Sequence, residues 1–371
     1  MKPYYERAAE LYNEGLRSAT QIARQIIKEG VTTEPFDKVR RNISFQVIEK
    51  DHLLSKECDT LGIPLDSVKH YWHKGKHFSI NVGSNKALDY NDARESIVEE
   101  MRNYAPVYPN IQRIHDSEGY LLVIDPADVH IGKLASSFET GEEYNNQIAV
   151  ARVKEGVQGI LNKCAGFKLD KILFIGGNDI LHIDTPKRTT TAGTSQDTDG
   201  MWYDNFLIAK ALYIEVLEML VSVADVHFTF NPSNHDYTNG FFLADVIQSW
   251  FRHCDNITFD CSIAHRKYYR YHNNIIGTTH GDGAKNSDLP LLMAHEDPHG
   301  WAMCNHRYIY THHVHHKTSK DYIGVTVESL RSPSGTDSWH SRNGYTGAPK
   351  AIEGFLHCKI NGQIARITHL F

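Results

Sequence analysis

The sequence has no closely paired cysteines and no long apolar run, and each absence excludes a class of protein. Its six cysteines are scattered over 371 residues without a Cys-x-x-Cys pair. This distribution argues against a disulfide framework or a cysteine-based zinc site and predicts reduced thiols in a cytoplasmic protein. No apolar run is long enough to cross a bilayer, and the first residues lack the pattern of a signal peptide. We therefore expect no membrane partner.

An excess of positive charge is also missing, since the formal net charge is -6. This value argues against a broadly cationic surface that coats nucleic acid. It leaves room for local basic patches and for nucleic-acid binding through metal ions. No internal repeat or low-complexity tract stands out. The length of the chain predicts two or more folding units.

Histidine is the residue that the sequence has in excess, with 23 copies, while the rest of the composition is ordinary for a globular protein. Hydrophobic residues make up 41% and charged residues 23% of the chain, which is enough for a sizeable core. Most histidines in a protein are structural or exposed. An excess of this size is still a reason to look for a metal site.

One stretch, Phe228–Asp236, shows how such a site could be built. An alternating β-branched and aromatic run ends in a Pro-Ser turn that is followed by Asn234, His235 and Asp236. A buried strand would hold this turn rigidly at its tip. Asn234 offers an amide oxygen to a metal, His235 can donate a proton, and Asp236 can orient the imidazole. The alternative is an ordinary Asx turn.

The same arrangement recurs at four other places in the chain. In each, a short apolar strand is followed by a carboxylate or imidazole that could bind a metal. Open α/β sheets place their active sites at the carboxyl ends of strands, so these side chains are expected to converge. Strand and helix alternate from residue 120 to the central strand, which predicts an α/β fold. The four stretches are Leu121–His130, Lys171–Asp179, Ile275–Asp282 and Tyr308–His315.

Together these stretches resemble the calcineurin-like metallophosphoesterase superfamily, whose pattern is Asp-x-His, Gly-Asp, Gly-Asn-His-(Asp/Glu), a lone His and Gly-His-x-His. The resemblance implies a β-sandwich flanked by helices, an αββα fold. Three departures are Asn178 before the second carboxylate, Ser233 in place of glycine, and His312 in place of glycine. The matching residues, in order, are Asp128, His130, Asp179, Asn234, His235, Asp236, His280, His313 and His315.

The resemblance also implies a pair of divalent ions, with Asp179 bridging them. Such a pair would generate a hydroxide at neutral pH and neutralise a phosphoryl oxygen. His235 would stabilise the pentavalent state or protonate the leaving oxygen, and Asp236 would hold its tautomer. A nitrogen and oxygen ligand set without thiolate suits Mn²⁺, Fe, Zn²⁺ or Mg²⁺. We expect two divalent ions, with Mn²⁺ first and Fe, Zn²⁺ or Mg²⁺ as alternatives. One ion would bind Asp128, His130, Asp179 and His315, and the other Asp179, Asn234, His280 and His313.

The residues after Asp179 bear on the substrate. Asp179 is followed by Ile180-Leu181-His182, which is similar to the double-strand-break repair exonucleases of the superfamily, where that histidine assists catalysis. The alternative is a satisfied loop histidine. Phosphoprotein phosphatases of the superfamily carry an arginine soon after the bridging Asp, where it binds a monoester. Here no arginine follows until Arg188, a candidate substrate-binding residue, so the resemblance favours a diester. We predict a DNA exo- or endonuclease; the alternatives are a phosphodiesterase for a small diester such as a cyclic nucleotide, a phosphomonoesterase, or a DNA-binding or assembly protein with a vestigial metal site.

The first section, residues 1–50, predicts three short helices that resemble a helix-turn-helix. Ser18 is expected to cap the second helix and Pro35 to open the third. Arg40 and Arg41 on the third helix would bind DNA in a major groove. The alternative is a helical bundle that docks on the main domain or on a partner protein, such as a repair or replication protein or a second copy of the chain.

The remaining chain predicts a linker with a small subdomain over residues 51–118 and one catalytic domain over residues 119–371. The subdomain would contain a basic and aromatic stretch, Val68–Ile80, and an exposed helix, Asp92–Tyr104. In the catalytic domain, the polar stretch Thr185–Asp199 is expected to form a substrate-facing loop. After Asn256 the pattern predicts strands over Tyr268–Ile276, Tyr322–Leu330, Gly354–Lys359 and Ala365–Leu370.

Overall fold

A computed structural model of the chain describes residues 4–16, 18–43, 58, 70–74, 79–83, 106–113 and 118–371. The chain divides into two compact units, Met1–Glu99 and Glu100–Phe371. The helix predicted over Asp92–Tyr104 lies outside the described residues. The predicted divisions at residues 50 and 118 stay predictions.

Within residues 4–43, the described part of the first section, three helices surround a small apolar core, as the spacing of the apolar residues predicts. They are α1 (Tyr4–Asn13), α2 (Ala19–Lys28) and α3 (Phe36–Ile43). Ser18 occupies the N-cap position of α2 without a side-chain cap hydrogen bond. Two short antiparallel strands, β1 (His70–Lys74) and β2 (Ser79–Gly83), fall within the predicted basic and aromatic stretch and its end. The buried core residues are Tyr4, Ala8, Leu11, Ile22, Ala23, Ile26, Val39 and Ile43.

The second unit is built on two sheets, of which the larger has six strands in the order β13-β12-β3-β4-β5-β6. Strands β3 to β6 run parallel, and β12 and β13 are antiparallel to their neighbours. Parallel neighbours bring their carboxyl ends to one edge of the sheet. The strands are β3 (Tyr120–Asp125), β4 (Leu169–Gly177), β5 (Asp225–Asn231), β6 (Ile257–Asp260), β12 (Ala351–Cys358) and β13 (Gly362–Leu370).

The smaller sheet has five strands in the order β10-β11-β9-β8-β7. The single strand expected over Tyr268–Ile276 is wrong, because a turn at His272 and Asn273 divides it into an antiparallel pair. Likewise, the strand expected over Tyr322–Leu330 is interrupted by a turn at Gly324, whose φ is +77°. The strands are β7 (Arg266–Tyr271), β8 (Asn274–Thr279), β9 (His306–Thr311), β10 (Thr318–Tyr322) and β11 (Val325–Ser329).

The two sheets pack face to face, and helices cover both outer faces, which confirms the predicted αββα fold class. Alternate residues of β3 show the layering: Leu122 and Ile124 pack towards the helices, while Leu121 and Val123 pack against the smaller sheet. Burial on both faces explains why the parallel strands are almost continuously apolar. The helices are α4 (Ser137–Thr140), α5 (Asn146–Lys163), α6 (Trp202–Val223), α7 (Tyr237–Trp250), α8 (Leu289–Glu296), α9 (Pro298–Met303) and α10 (Ser338–Arg342).

Residues 106–113, part of the predicted linker, belong to the second unit and pack beside its larger sheet. The backbone N–H of Ile111 donates to Oδ1 of Asn256 at 2.8 Å, and Nδ2 of Asn256 donates to the carbonyl of Ile111 at 2.9 Å. Arg113 forms an ion pair with Asp225 at the start of β5. This segment therefore contributes to the edge of the larger sheet. Among the described residues, no helix combines the length and the apolar character needed to span a membrane.

Candidate metal centre

The predicted metal ligands all follow the carboxyl ends of strands, and the fold gathers them at one edge of the sandwich. Strands β3, β4 and β5 of the larger sheet end at Asp125, Gly177 and Asn231, and β8 and β9 of the smaller sheet end at Thr279 and Thr311. Five loops thus meet at the same place. They carry Asp128 and His130, Asp179, Asn234 and His235, His280, and His313 and His315, respectively.

One donor group consists of Asp128, His130 and His315, whose ligand atoms lie within 4.8 Å of one another. The Nε2 atoms of His130 and His315 are 3.3 Å apart, and Nε2 of His315 is 3.5 Å from Oδ1 of Asp128. Two nitrogens bound at about 2.1 Å to a common ion, at tetrahedral to octahedral angles, lie about 3.0–3.4 Å apart. The spacing of the two imidazoles therefore fits a shared divalent ion.

The second donor group consists of Asp179, His280 and His313, again within 4.8 Å. Nε2 of His280 is 3.2 Å from Oδ2 of Asp179 and 2.9 Å from Oδ1 of Asn234. The structure thus brings the carboxylate, the amide oxygen and two imidazoles together, in the combination predicted for the second ion. Nitrogen and oxygen donors without thiolate suit borderline and hard divalent cations.

Backbone strain is concentrated in these loops. Eight described residues other than glycine have positive φ angles, and six of them lie at the site. Such conformations are tolerated best by Asn, Asp and His, and they cluster at functional sites because the surrounding structure must hold them. The six residues, with φ between +52° and +70°, are Asp128, His130, Asn178, Asp179, His313 and His315.

Hydrogen bonds between neighbouring loops hold this strained backbone in place. The N–H of Asp128 donates to the carbonyl of Asn178 at 2.8 Å, and the N–H of His130 donates to the carbonyl of Asp179 at 2.9 Å. Gly177, with φ +80°, allows the close approach of β5, because a Cβ there would lie 2.2 Å from the carbonyl oxygen of Asn231. Each carboxylate is therefore positioned by a loop that cannot move alone.

Burial sets the electrostatics of the donors. Asp128, Asp179, His130 and His280 are each at most 2% exposed. Burial lowers the pKa of His130, and the nearby His235 and Lys133 lower it further. Burial also lowers the pKa of His315, and the charge of Asp128 only partly offsets this. Neutral imidazoles are the form that binds metals, and two buried carboxylates without a matching cation are unfavourable.

The pKa values of the two carboxylates and of His280 shift in the direction that favours their charged forms. Burial alone would raise the pKa of Asp128 and of Asp179, but the neighbouring imidazoles more than offset it, so both pKa values are lowered. Burial would lower the pKa of His280, yet the charge of Asp179 raises it to about 9. His280 thus carries a positive charge beside Asp179. A metal ion bound there would take over that charge and displace the proton.

His235 lies beside the donors, but the partner of its ring differs from the prediction. Its Nδ1 faces the backbone carbonyl of His182 at 2.9 Å. The expectation that Asp236 holds this tautomer is wrong: Oδ2 of Asp236 accepts from the N–H of Leu181 at 2.8 Å, and Oδ1 accepts from the hydroxyl of Ser233 at 2.7 Å. The turn directs the carboxylate back towards the β4 loop, away from the ring.

The hydrogen bonds of Asp236 connect the turn after β5 to the loop after β4. Ser233 connects it to the metal centre, since the N–H of Asp179 donates to the Ser233 hydroxyl at 2.7 Å. Burial and the charge of Asp179 raise the pKa of Asp236 to about 8. Serine at this position, where the family pattern has glycine, was the only signal of this link in the sequence.

His182 is brought into the site, as its placement after Asp179 predicts. Its Nδ1 is 3.3 Å from Nδ1 of His130, and its ring stacks on that of His235 with centroids 5.3 Å apart. Burial lowers its pKa, with a further contribution from His235. His130, His182 and His235 together could also hold a metal ion. A catalytic role for His182 stays a prediction.

His312 explains the doubled histidines after β9. It is 1% exposed, its Nδ1 faces the carbonyl of Thr279 at 3.0 Å, and its Nε2 lies 2.8 Å from Oδ2 of Asp125. This pair links β3 of one sheet to β9 of the other. His313 and His315 are therefore the two histidines of this run that belong to the donor groups. His316 is exposed, and its Nδ1 lies 2.7 Å from the carbonyl oxygen of Val314. Sequence reasoning missed the link between Asp125 and His312.

The donors line a cleft of about 1020 Å³. The predicted substrate-facing loop contributes Thr190, Ala192, Thr194 and Gln196, and a second wall is formed by residues 335–350. Arg188 does not line this cleft: it is exposed, and its guanidinium contacts Sδ of Met201 at 3.7 Å. Arg40 and Arg41 are exposed on α3 in the first unit. The wall at residues 335–350 was not predicted.

Comparison with known proteins gives a match only among solved structures. No protein-family model matches the sequence, and no curated protein matches it. An archaeal phosphodiesterase shares 8% identity at a TM-score of 0.32, covering 68% of this chain and 99% of its own. Wild-type Vps29 from Entamoeba histolytica, in complex with Zn²⁺, shares 10% identity at a TM-score of 0.27, covering 68% and 98%. A predicted phosphoesterase from Streptococcus pneumoniae shares 12% identity at a TM-score of 0.25, covering 69% and 99%.

Likeness at this level does not assign an activity, so the chemistry has to be derived from the residues themselves. The fold and the site define a class: an αββα sandwich whose strand ends carry clusters of Asp, Asn and His that could hold divalent metal ions. The donors, their spacing and the lowered pKa values of His130 and His315 fit that use.

Proposed function

We propose that this chain is a metal-dependent phosphodiesterase of the calcineurin-like metallophosphoesterase superfamily, and that it cuts DNA as an exo- or endonuclease. The observation that carries the proposal is the pair of adjacent donor groups at one sheet edge, with His235 beside them. Asp128, His130 and His315 would hold one ion, and Asn234, His280 and His313 the other. Asp179 would serve both.

Two divalent ions held there would supply Lewis-acid chemistry, polarising a phosphoryl oxygen and lowering the pKa of a bound water. The contribution of His235 follows from its hydrogen bond. Because Nδ1 donates to the carbonyl of His182, the proton available for transfer is the one on Nε2. His235 would give this proton to the leaving oxygen and become neutral, while its Nδ1–H bond holds the ring in place.

The charges around the cleft favour a diester. A phosphomonoester carries an additional negative charge, which phosphatases compensate with cationic side chains. Among the described residues that line the cleft, Lys350 is the one lysine or arginine, and its ammonium lies 3.6 Å from the carboxylate of Glu142. A lysine that already has a carboxylate partner adds little to the binding of a doubly charged phosphate. The size of the cleft is at the upper end of the range for small-molecule sites, which favours a larger substrate.

The experiment that tests the proposal is a hydrolysis panel with added Mn²⁺. Single- and double-stranded DNA, RNA, bis-p-nitrophenyl phosphate and p-nitrophenyl phosphate are compared under the same conditions, with Asp179→Asn as the matched inactive protein. We expect hydrolysis of DNA and of the diester, well above that of the monoester. Hydrolysis of the monoester alone would contradict the proposal that the substrate is a diester. If the metal-loaded protein hydrolyses none of these compounds, the proposal that the chain is a phosphoesterase is wrong.

We further propose that the three helices of the first unit recruit DNA. Arg40 and Arg41 are exposed in the last turn of α3, and Arg40 has a weak contact with Asp37 at 3.8 Å. Exposed arginines on one short helix can neutralise phosphates at little desolvation cost. Docking on a protein partner is the alternative, and DNA binding by a chain that lacks the first unit separates the two.

A further inference from the structure

The second wall of the cleft carries two large aromatic side chains that are exposed. Trp339 in α10 is 60% exposed, and Tyr345 in the turn that follows is 63% exposed. Their rings stack with centroids 5.7 Å apart and an interplanar angle of 24°. Both residues line the same cleft as the metal donors. We call these two residues the aromatic pair.

The wall that carries the aromatic pair is anchored to the metal centre by an ion pair. Asp337, at the N-cap of α10, accepts from the N–H of His340 at 2.8 Å, and its Oδ2 lies 2.8 Å from Nζ of Lys133. The Lys133 side chain is 1% exposed, and its backbone N–H donates to the carbonyl of His130 at 3.0 Å. A buried lysine next to a metal ligand thus ties the start of α10 in place.

A ring contact forms a second anchor. The imidazole of His340 stacks on that of His315 with centroids 5.0 Å apart and an interplanar angle of 18°. Nδ1 of His340 is 2.7 Å from Oδ1 of Asp337, which holds the ring in that orientation. The aromatic pair therefore lies next to His340, which contacts the candidate donor His315 directly, so the fold sets its distance from the donors.

Two flat, exposed rings at a fixed distance from a proposed phosphodiester site have the shape and chemistry to stack on a nucleobase. Every base presents an aromatic face, so stacking is tolerant of sequence, and proteins that bind single strands combine such rings with cationic groups. Arg342, exposed in the last turn of α10, supplies a positive charge on the same element. A paired base inside a duplex offers no free face, which restricts the match to unpaired bases.

We propose that the aromatic pair is a stacking platform for an unpaired base of the substrate strand, close to the phosphate that is cut. The inference rests on the proposed function and narrows its substrate to single-stranded DNA or frayed ends of duplexes. The metal centre cuts the backbone, while the aromatic pair selects strands whose bases are free. Loss of stacking weakens binding by about 5- to 150-fold per base.

The experiment compares Trp339→Ala with the wild-type protein on two single-stranded oligonucleotides of equal length. One has natural bases, and the other carries abasic sites at the positions next to the cleaved bond. We expect Trp339→Ala to raise KM about tenfold or more on the natural strand and to change it little on the abasic strand. Trp339→Phe, which keeps an aromatic face, should restore most of the difference. Bis-p-nitrophenyl phosphate is unsuitable as a control because it is itself aromatic.

A binding measurement gives a readout that does not depend on turnover. Stacking of a base should quench the fluorescence of Trp339, so the wild-type protein without added metal should lose more emission on binding single-stranded DNA than Trp339→Phe does. Phe242→Ala, which removes another exposed aromatic residue (53% exposed), is the matched control and should behave as wild type on both strands.

The outcomes separate this inference from the proposed function. If the wild-type protein cuts DNA, and Trp339→Ala either binds normally or is equally impaired on natural and abasic strands, the stacking platform is wrong. If the metal-loaded wild-type protein cuts no phosphodiester, the proposed function fails first. In that case a quenching signal that is equal in wild type and Trp339→Phe would reject the platform as well.

Discussion

The two sides of the cleft are built in opposite ways. On one side, buried and strained residues at strand ends hold the metal donors, with six positive φ angles and hydrogen bonds from loop to loop. On the other side, the short helix α10 exposes Trp339 and is held by a few side chains. The first side keeps the donors in a fixed geometry. The second touches the donors only through His340 and Lys133, while its aromatic rings face the cleft.

The strictest test of the strand-end side is Asp179→Asn. The substitution keeps the shape of the side chain but removes the charge that both ions would share. We expect loss of metal and of all measurable hydrolysis, because a buried neutral amide cannot replace a bridging carboxylate. Elemental analysis and bis-p-nitrophenyl phosphate hydrolysis measure the two effects. Asp321→Asn, at an exposed carboxylate on β10, is the control. Full metal content in Asp179→Asn would disprove the assignment.

His235→Asn tests whether the strand ends also hold the proton donor. Because Asn234 is the ligand proposed for that turn, the variant should keep its metal while kcat falls by about 10²–10⁴, the usual cost of losing a general acid. KM should change little. His295→Asn, at an exposed histidine on α8, is the control. Loss of metal from His235→Asn would show that this residue is a ligand.

The link between the two sides can be broken at Asp337. Asp337→Asn leaves the buried ammonium of Lys133 without its counter-charge, which typically costs about 3–5 kcal/mol in the free energy of unfolding. Lys133→Met combined with Asp337→Asn should recover part of that loss, since no buried charge remains. Urea unfolding of the two single variants and the double variant measures the coupling. Strictly additive effects would mean that the ion pair does not hold the wall.

The same ion pair predicts that the stability of the protein depends on pH in the acid range. Burial would raise the pKa of Asp337, but the hydrogen bond from His340 and the charge of Lys133 more than offset it, so the pKa is lowered. A lowered pKa means that the stabilisation is complete above the unfolded value of about 3.9 and is lost as the pH falls below it. Wild type should therefore lose more stability than Asp337→Asn between pH 5 and pH 3, in unfolding curves recorded at each pH.

A smaller effect is expected at Asp236, within the strand-end side. Asp236→Ala leaves the hydroxyl of Ser233 and the N–H of Leu181 without their acceptor, which should cost about 1–3 kcal/mol of stability. The fall in kcat should be smaller than in His235→Asn, because the His235 ring is oriented by the carbonyl of His182. Thermal unfolding and steady-state kinetics give the two values. Equal losses of kcat in both variants, with unchanged stability, would restore a direct role for Asp236.

The smallest effect on chemistry is expected from removing the first unit. The truncated chain should begin at Glu100, because residues 106–113 pack on the larger sheet. It should hydrolyse bis-p-nitrophenyl phosphate at nearly the full rate. Its affinity for DNA should be lower and less dependent on salt, because fewer phosphates are neutralised. Arg40→Ala with Arg41→Ala should act in the same direction. Unchanged DNA binding would mean that the helices dock on a protein.

Much of the strand-end side could be predicted from the sequence, for a physical reason. A parallel strand buried on both faces is a continuous apolar run, and the polar residue that follows it must lie at the sheet edge. Asp128, Asp179, Asn234, His280 and His313 were found in this way. Parallel strands bring the donors of each sheet to one edge, and the packing of the two sheets brings the two sets together. The αββα layering followed from the same pattern together with the resemblance.

Only the tertiary structure decided which segments that are far apart in the chain contact each other. The carbonyl of His182 takes the place expected for Asp236, because the β4 loop and the turn after β5 fold against each other. His312 points to Asp125 in the other sheet, and Lys133 meets Asp337 across more than 200 residues. Such pairs depend on loop geometry, and a single sequence carries no periodic signal for it. The aromatic wall of the cleft was missed for the same reason.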